Sequence, residues 1–430
     1  MLKKNLLTII ITTKNRCETA RESIALARRV GNELDVEVLV QDCSDDNSLS
    51  IILEDIGLLH RINYQHTHPV SMTENWNNAV RRANGEYLII IGDDDAVLPT
   101  ALTVAQWAKR NSIKAVKQQT FDNYWWSNVP SNRLASLFDY VLTHSGTSQE
   151  SHCHLAWAQF FASGHIPNVF VGAYHNLVHH SVFDELLERT GKYFDSFNPD
   201  YYSCFAIGCL LNSYYTLDFP FTIVGKSLKS NSNRSFSESY FHFTEYTDYK
   251  IPSLFPNTLI QFSDESMRLG AFRVSIYHSY IVLIANLESL LKVRDYFRES
   301  NYFYSQEFLD YVNFPKLYSF AICLEPYQIF KHISQYESVR IVFNGKVIAW
   351  YAKLISNYLA TFKILGTHVI SSCELIIKTI IKRMFKGWYD KYKLRVTVSG
   401  SSERHDTCRC KTLTSAVELK MSTLNDLMIN

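Results

Sequence analysis

The sequence of 430 residues lacks three features that would place it in a specialised class. It has no uninterrupted apolar run of 18 residues, so no segment is a convincing membrane-spanning helix. It has almost no net charge, with 43 basic against 42 acidic residues, which argues against broad binding of nucleic acid. Its nine cysteines are irregularly spaced, which is typical of a reducing cytoplasm and not of a disulfide framework.

The composition is that of a folded protein with more than one domain. Hydrophobic residues make up 47% of the chain and aromatic residues 14%, which excludes a disordered protein. A chain of this length is too long for one ordinary domain and long enough for two sizeable cores. A Ser-, Asn- and Lys-rich stretch near residues 226–239 suggests a boundary, and we place the two domains at 1–230 and 231–430.

Short apolar runs alternate with helical patterns in the first part of the chain. Residues 6–11, 36–40 and 88–91 have the length and composition of buried strands, and 215–224 resembles a further strand. Ser71 and Glu74 form a capping box that opens a helix, which Gly85 would end. This pattern predicts a parallel sheet covered by helices on both faces, followed from about residue 240 by a mainly helical region.

Polar segments follow three of these strands, at residues 12–16, 42–45 and 93–95. In an open parallel sheet, ligands bind beyond the carboxyl ends of the strands. Three consecutive acids at 93–95 repel one another and are costly to bury, so a positive charge is expected beside them. The alternative is an acidic turn that caps the helix predicted over 99–109.

Residues 9–16, 38–48 and 75–99, and more loosely 191–227, resemble the family-2 glycosyltransferases of the GT-A fold, bacterial members especially. The order and spacing of the first three segments carry the resemblance. It implies an α/β GT-A domain, with a mostly parallel sheet and helices on both faces. It also implies an inverting transfer of a sugar from a nucleoside-diphosphate sugar to a hydroxyl of a glycan or lipid-linked saccharide.

The resemblance assigns the acidic segment to donor binding. Asp94 and Asp95 would coordinate a divalent cation, Mn²⁺ or Mg²⁺, which suits carboxylate ligands and neutralises a diphosphate leaving group. Asp93 would face the ribose or a water on the metal. The family's usual leading aspartate is Gly92 here, so which of the three acids binds the metal stays open.

Three further residues are assigned to the nucleotide. Asp42 matches the acid after the second strand that contacts the nucleobase in the family, and Thr12 matches a residue of the first strand near the base. Lys14 is positioned to reach a phosphate, although a solvated lysine is an equal alternative. The acid that commonly precedes Asp42 in the family is Gln41 in this sequence.

An inverting transfer also needs a base that removes the proton of the acceptor hydroxyl. The family places an acid near the start of a late helix, and the sequence Asn198-Pro199-Asp200 fits that position. Asp200 is therefore the candidate base, and its helix dipole is expected to keep it ionised. Asp195 is the alternative.

Two rival functions remain open from the sequence. A catalytically degenerate GT-A scaffold or glycan-binding protein is supported by the departures at Lys14, Gln41 and Gly92. A sugar nucleotidyltransferase uses a similar sheet, but it usually has a glycine-rich loop after the first strand, which residues 12–17 lack.

The segment 375–395 combines an apolar stripe at helical spacing with seven lysines and arginines. Such a helix can lie on an anionic membrane surface. A bundle helix with a solvated basic face is an equal alternative. The expected location is the cytoplasm, with attachment to the inner face of the membrane if the first interpretation holds.

Vesicle co-sedimentation separates these two interpretations. Each basic side chain near an anionic leaflet contributes about 1 kcal/mol, and salt screens that attraction. We expect wild type to sediment with anionic vesicles at low salt. A variant with Lys378, Lys382, Arg383 and Lys386 changed to Gln should sediment less. Equal sedimentation of both proteins, or attachment that high salt leaves unchanged, would make the segment an ordinary bundle helix.

Overall fold

The structure is a computed structural model, and the chain divides into two compact units. All of the described residues belong to the first unit, which comprises residues 1–251, 282–312 and 405–430. The described residues are 5–119, 122–127, 136–138, 146–163, 170–196, 198–229, 289–304, 407–409 and 412–428.

The described elements alternate between strand and helix up to residue 92, after which several strands follow one another directly. The strands are β1 (Asn5–Thr13), β2 (Val36–Asp42), β3 (Asn63–His66), β4 (Gly85–Gly92), β5 (Ala96–Val97), β6 (Ala115–Gln118), β7 (Asp122–Trp125), β8 (Ser136–Phe138), β9 (Ser148–His152), β10 (Leu177–His179), β11 (Ser213–Leu217), β12 (Thr222–Lys226) and β13 (Thr407–Arg409). The α-helices are α1 (Cys17–Ala27), α2 (Ser48–Asp55), α3 (Met72–Arg82), α4 (Thr100–Arg110), α5 (Cys153–Ser163), α6 (His180–Thr190), α7 (Pro199–Leu210) and α8 (Leu413–Met428), with 3₁₀ turns at Leu59–Arg61 and Asn301–Tyr304.

The main sheet has eight strands in the order β3-β2-β1-β4-β10-β6-β11-β9. Strands β3, β2, β1 and β4 are parallel, whereas β10 runs antiparallel to both of its neighbours. Both faces are covered: Ile90 packs in one hydrophobic cluster, and Ile89 and Ile91 pack in the other. The near-continuous apolar strands are explained by this double burial, and the predicted α/β class is confirmed.

A second sheet of five strands, in the order β13-β8-β7-β12-β5, lies beside the end of β4. The strand predicted over 215–224 is wrong, because this segment forms β11 of the main sheet and β12 of the second sheet. Pro220 lies between them and cannot donate to a ladder, which favours the break.

Helix α3 begins as the capping box predicts and ends differently. The Ser71 hydroxyl accepts a hydrogen bond from the Glu74 amide at 3.1 Å. Gly85 does not end the helix, which stops at Arg82, but instead opens β4. A Cβ at Gly85 would lie 2.4 Å from the backbone nitrogen of Thr8. Glycine is therefore required by the close approach of β1 and β4.

Described parts of the C-terminal half pack on the N-terminal sheet. A helical stretch at 289–296 buries Leu290 and Val293 in one core cluster, and α8 contributes Leu413 and Leu424 to another. The predicted boundary at residue 230 stays a prediction. The basic segment 375–395 lies outside the described residues. Within the described part of the chain, no helix combines the length and apolarity needed to cross a bilayer.

Candidate functional site

The carboxyl ends of β1, β2 and β4 lie side by side at one edge of the main sheet. The strand register pairs Thr13 with Asp42, and Thr12 with Gly92. Because the three parallel strands end at the same level, the three polar segments that follow them share one edge. This edge is where the fold places a ligand crevice.

The loops after β1 and β2 are joined to each other by a pair of side chains. Asn15 Nδ2 donates to Asp45 Oδ2 at 2.7 Å, and the Asp45 amide donates back to Asn15 Oδ1 at 2.9 Å. The Asn15 amide also donates to Ser44 Oγ at 2.8 Å. Asn15 has a φ of +58°, a left-handed conformation that asparagine tolerates better than most residues.

Asp42 is fully buried at the end of β2. Its Oδ1 accepts a hydrogen bond from the Ser44 amide and its Oδ2 accepts one from the Tyr64 hydroxyl, each at 2.8 Å. Both carboxylate oxygens of Asp42 are therefore used in hydrogen bonds within the protein, one to the loop after β2 and one to β3. Its predicted contact with a nucleobase stays a prediction, and a base would have to use a second lone pair or displace Tyr64.

Thr12 and Lys14 flank the end of β1. Thr12 is buried near the end of β1, which pairs with β2 and β4, whereas Lys14 is half-buried in the loop that follows. The structure thus brings both residues to the same edge as Asp42. Their roles in nucleotide binding stay predictions.

Asp93 makes an ion pair that sequence reasoning missed. Arg16 Nε lies 3.0 Å from Asp93 Oδ2, and Thr13 Oγ1 donates to the same oxygen at 2.6 Å. The Ser23 hydroxyl donates to the Asp93 carbonyl at 3.1 Å. Asp93 is 0% exposed, and its Oδ1 has no hydrogen-bond partner among the described residues. One oxygen of this carboxylate is therefore fixed, and the other is a buried acceptor that no described residue satisfies.

Asp94 is held by the end of β12. Its Oδ2 accepts hydrogen bonds from the Ser227 amide at 3.2 Å and the Ser227 hydroxyl at 2.6 Å. Its backbone carbonyl accepts one from Trp126 Nε1 at 3.0 Å. A Cβ at Gly225 would lie only 1.7 Å from that carbonyl oxygen, so the contact of β12 with the acidic turn requires a glycine.

Asp95 is surrounded by donors. Its Oδ2 accepts hydrogen bonds from the Gly92 amide at 2.7 Å and the Tyr174 hydroxyl at 2.6 Å, and it lies 3.1 Å from His175 Nε2. Its Oδ1 accepts a hydrogen bond from the Gly225 amide at 2.7 Å. A cation at Asp95 would have to displace these donors. The predicted metal role of Asp95 stays a prediction, and this arrangement argues for an anchoring role.

Tyr174 explains why glycine occupies position 92. A Cβ at Gly92 would lie 2.9 Å from the Tyr174 hydroxyl oxygen and 3.0 Å from Asp95 Oδ2. The tyrosine therefore fills the space that a side chain at 92 would need. The next residue, His175, has a φ of +59°, and its amide donates to the Ile90 carbonyl at 2.9 Å. This left-handed backbone is strained for a histidine, and such strain is common at functional sites.

The three acids differ in proton affinity although they are consecutive. Burial raises the pKa of Asp93 to about 7, although Arg16 lowers it. Burial and the neighbouring Asp95 raise the pKa of Asp94. Burial also acts on Asp95, but His175 and Tyr174 outweigh it and hold the pKa of Asp95 at about 2. The turn is therefore short of positive charge at Asp93 and Asp94.

The donor set at the turn suits a hard divalent cation. Carboxylate oxygens are the ligands that Mg²⁺ and Mn²⁺ prefer. Asp93 Oδ1 has no hydrogen-bond partner in the described ranges, and the hydrogen bonds that reach the Asp94 carboxylate there go to its Oδ2. In the described part of the chain, no three His, Cys, Asp or Glu side chains are gathered for a metal. A cation would thus need oxygens from a ligand, as Mg²⁺ sites with substrate phosphates do.

Asp200 lies in the first turn of α7, as predicted, with Pro199 as the first helical residue. Asn198 is the N-cap residue of α7, although its side chain makes no capping hydrogen bond. Burial raises the pKa of Asp200 to about 6, although backbone hydrogen bonds, including one from the Tyr201 amide, lower it. Desolvation therefore outweighs the helix dipole that was expected to dominate.

Asp200 and the acidic turn approach the same segment of chain. A Cβ at Gly172 would lie 3.5 Å from the Asp200 carbonyl oxygen. Burial first, and then the charges of Asp95, Asp94 and Asp200, raise the pKa of the Tyr174 hydroxyl. Tyr174 is thus within electrostatic range of both the acidic turn and the candidate base, and it remains a neutral donor.

Asp195 is less suited to act as a base. Its Oδ1 lies 3.1 Å from Lys192 Nζ, and its Oδ2 lies 3.3 Å from Lys292 Nζ and also accepts a hydrogen bond from the Tyr296 hydroxyl. Burial acts to raise the pKa of Asp195, but Tyr296 and the two lysines outweigh burial and hold this pKa below its usual value. These contacts make Asp195 an anchor for the stretch 289–296.

Sequence reasoning missed several residues of the site. Arg16 belongs to a polar segment that was noticed, and a basic residue four positions after Thr12 could have been paired with the acids. Thr13 lies in the same segment, whereas no local pattern marks the others, because they come from distant parts of the chain. The residues missed are Thr13, Arg16, Tyr174, His175, Gly225 and Ser227.

The family model described as Glycosyl transferase family 2 matches residues 8–155. Solved structures of S. aureus TarS are similar in part. TarS 1-349 in complex with UDP-GlcNAc is 13% identical, with 75% of this chain and 82% of that chain covered and a TM-score of 0.38. A second TarS structure is 14% identical, and the match covers 58% of this chain at a TM-score of 0.37. The present chain spans 44% of that TarS chain.

No curated protein matches the sequence. The mostly parallel sheet with helices on both faces agrees with the predicted α/β, GT-A-like fold of the N-terminal region. The match to the glycosyltransferase family 2 model is confined to residues 8–155 of the 430-residue chain.

The Arg16–Asp93 pair gives a stability test. Arg16→Gln leaves a buried carboxylate without its cation, and breaking such a pair costs on the order of 3 kcal/mol. We therefore expect a clear fall in the free energy of unfolding, measured by urea denaturation at pH 8. The double change Arg16→Gln/Asp93→Asn should recover most of the loss.

Arg29→Gln is the matched control, because Arg29 and its partner Glu418 are 60% and 68% exposed. An exposed pair contributes at most about 1 kcal/mol. Equal losses in the Arg16 and Arg29 variants would show that the buried pair has no special role.

Proposed function

We propose that the protein is an inverting glycosyltransferase that moves a sugar from a nucleoside-diphosphate sugar to a hydroxyl group. The observation that carries this proposal is the acidic turn. Three buried carboxylates lie at the carboxyl edge of the sheet with one arginine paired to them in the described part of the chain. A site short of positive charge is suited to a cation bound together with a diphosphate.

The three acids of the turn have two roles in the proposed donor site: Asp93 and Asp94 bind a cation, and Asp95 stabilises the conformation of the turn. Asp94, with Asp93 beside it, would hold a Mn²⁺ or Mg²⁺ ion, which would neutralise the charge that develops on the leaving diphosphate. Asp95 keeps the turn in shape through its bonds to Gly92, Tyr174 and Gly225. Because these groups are fixed before the donor arrives, little reorganisation is needed at the moment of reaction.

The nucleotide would lie along the ends of β1 and β2. Thr12 and Asp42 line this part of the edge, and Lys14 is near enough along the chain to approach a phosphate. Asp42 would accept a hydrogen bond from the imide of uracil or thymine, or from the amine edge of guanine. This role would need Tyr64 to share or release the Asp42 carboxylate.

Asp200 would act as the base. The acceptor oxygen attacks the anomeric carbon, the bond from that carbon to the diphosphate oxygen breaks, and the hydroxyl proton passes to Asp200. A base with a pKa of about 6 is mostly ionised at neutral pH and still accepts a proton well. A single in-line displacement of this kind inverts the configuration at the anomeric carbon.

The acceptor would be a growing surface glycan or a lipid-linked saccharide. The family resemblance supports this class of acceptor. A lipid-linked acceptor would bring the protein to the cytoplasmic face of a membrane, where the basic segment 375–395 could attach it.

One observation favours a second candidate, a glycan-binding protein without catalysis. Asp42 is fully buried, and each of its carboxylate oxygens already accepts a hydrogen bond from the protein, so neither oxygen is preorganised for the expected nucleobase contact. Hydrolysis of a sugar nucleotide that depends on added Mn²⁺ would distinguish the two, because a binding protein shows none.

Asp94→Asn tests the donor site. The amide keeps one oxygen for Ser227 but removes the charge, so we expect the fold to persist and Mn²⁺-dependent stabilisation by the nucleotide to disappear. The measurement is a thermal-shift panel of UDP-, dTDP-, GDP- and CMP-sugars with and without Mn²⁺. Asp184→Asn on α6, at an acid 56% exposed, is the control and should respond as wild type does.

Metal-dependent nucleotide binding that survives Asp94→Asn would move the ligand role to Asp93 or Asp95. A wild type that responds to none of these nucleotides would refute the proposed donor class.

Asp200→Asn tests the base. We expect nucleotide affinity to persist while transfer falls by about a hundred- to ten-thousand-fold, the usual effect of losing a general base. In wild type, kcat should rise with pH through about 6, because only the ionised carboxylate accepts the proton. The Asn variant should lack that step.

The same variant also makes a prediction about stability. The folded-state pKa of Asp200 is raised, so this group lowers the stability of wild type as pH rises from about 4 to about 6. Asp200→Asn should therefore unfold no more easily than wild type at pH 7, measured by urea denaturation.

An Asp200→Asn variant that keeps most of its transfer rate would eliminate Asp200 as the base.

A further inference from the structure

The C-terminal helix α8 packs behind the acidic turn. Its buried side chains Leu413, Ala416, Val417 and Leu424 belong to one hydrophobic cluster with Ala96, Leu98, Trp126 and Ile223. Ala96 and Leu98 follow the three acids directly in the chain. The helix therefore contacts the segment that leaves the candidate donor site, although more than three hundred residues separate the two in sequence.

A buried ion pair joins α8 to the second sheet. Lys420 Nζ lies 2.9 Å from Asp122 Oδ2, and the two side chains are 1% and 3% exposed. Two charges so deeply buried are tolerated only when they are paired, and removing one partner leaves an uncompensated buried charge. The pair therefore fixes the position of α8 relative to β7, which Asp122 opens.

Strand β7 in turn aligns β12. Asp122 pairs with Ile223 in the parallel register, and the Trp126 amide donates to the Lys226 carbonyl at 3.1 Å. Strand β12 supplies the Gly225 amide to Asp95, and the adjoining Ser227 supplies its amide and hydroxyl to Asp94. The donors that shape the acidic turn thus lie on the strand next to the one that Lys420 holds.

A second contact fixes the start of α8. Glu22 Oε1 on α1 accepts hydrogen bonds from the Thr414 amide at 2.7 Å and the Thr414 hydroxyl at 3.0 Å. Helix α1 also carries Ser23, whose hydroxyl bonds the Asp93 carbonyl. Helix α8 is therefore tied to both sides of the acidic turn, through α1 on one side and through β7 on the other.

We infer that α8 is a positioning element of the acidic turn, and that the Lys420–Asp122 pair transmits the position of this helix through β7 and β12 to Asp94 and Asp95. Where donor binding is concerned, this inference rests on the proposed function. On this inference, α8 is one of the elements that determine the geometry of the proposed donor site.

Hydrogen exchange tests the inference without assuming any ligand. In Lys420→Met, amide exchange in residues 222–229 should be about tenfold faster or more, while exchange in β1 and β2 stays as in wild type. The double change Asp122→Leu/Lys420→Met replaces the pair with apolar side chains and should restore slow exchange. Glu418→Gln, on the same helix in an exposed pair, should leave exchange unchanged.

Glu22→Gln weakens the hydrogen bonds at the start of α8 without leaving a buried charge. This variant replaces Lys420→Met in the test if Lys420→Met does not fold. It should raise exchange in 222–229 in the same direction and by a smaller factor. Faster exchange confined to α8, with 222–229 as slow as in wild type, would overturn the inference.

Binding of UDP with Mn²⁺ gives the second readout. The Kd should rise about tenfold in Lys420→Met and return towards wild type in the double variant, and the KM for the donor should rise more than kcat falls. A wild type that binds no nucleotide would refute the proposed donor and leave the exchange result standing. Faster exchange in 222–229 with an unchanged Kd would overturn the link from α8 to donor binding.

Discussion

The structure of the site depends on the burial of three consecutive carboxylates at the end of β4. Desolvation of each ion is costly, so the surrounding chain must supply donors and positive charge. The loop after β1 supplies Arg16, the end of β12 supplies amides and a hydroxyl, and the segment at 174–175 supplies a phenol and an imidazole. Parts of the chain that are far apart in sequence are brought together by this requirement.

The three aspartates serve two purposes because their surroundings differ. Asp95 has donors on both oxygens, which stabilise its charge and make it part of the scaffold. Asp93 and Asp94 have fewer donors for equal burial, so their ionised forms are poorly compensated. An external cation would relieve this imbalance. The chemistry proposed for the protein thus follows from unequal hydrogen bonding within one short turn.

Glycine is required at two positions where another part of the chain approaches the backbone closely. Position 225 must lack a side chain because β12 touches the Asp94 carbonyl, and position 92 must lack one because the Tyr174 hydroxyl occupies the space. Tyr174 then lies within electrostatic range of the acidic turn and Asp200. Glycine at 92, where the family resemblance leads one to expect an aspartate, is therefore required by the position of Tyr174.

Local sequence was sufficient for the strands of the parallel core, the Ser71 cap and the grouping of polar residues at one sheet edge. Periodicity and strand ends are short-range properties, and parallel pairing places those ends together. Local sequence could not show that Gly85 is a packing glycine, that β11 and β12 belong to different sheets, or that burial raises the pKa of Asp200. The partners of the acidic turn, from Arg16 to Ser227, were decided by tertiary structure alone, because desolvation and hydrogen bonding depend on which distant residues fold against a group.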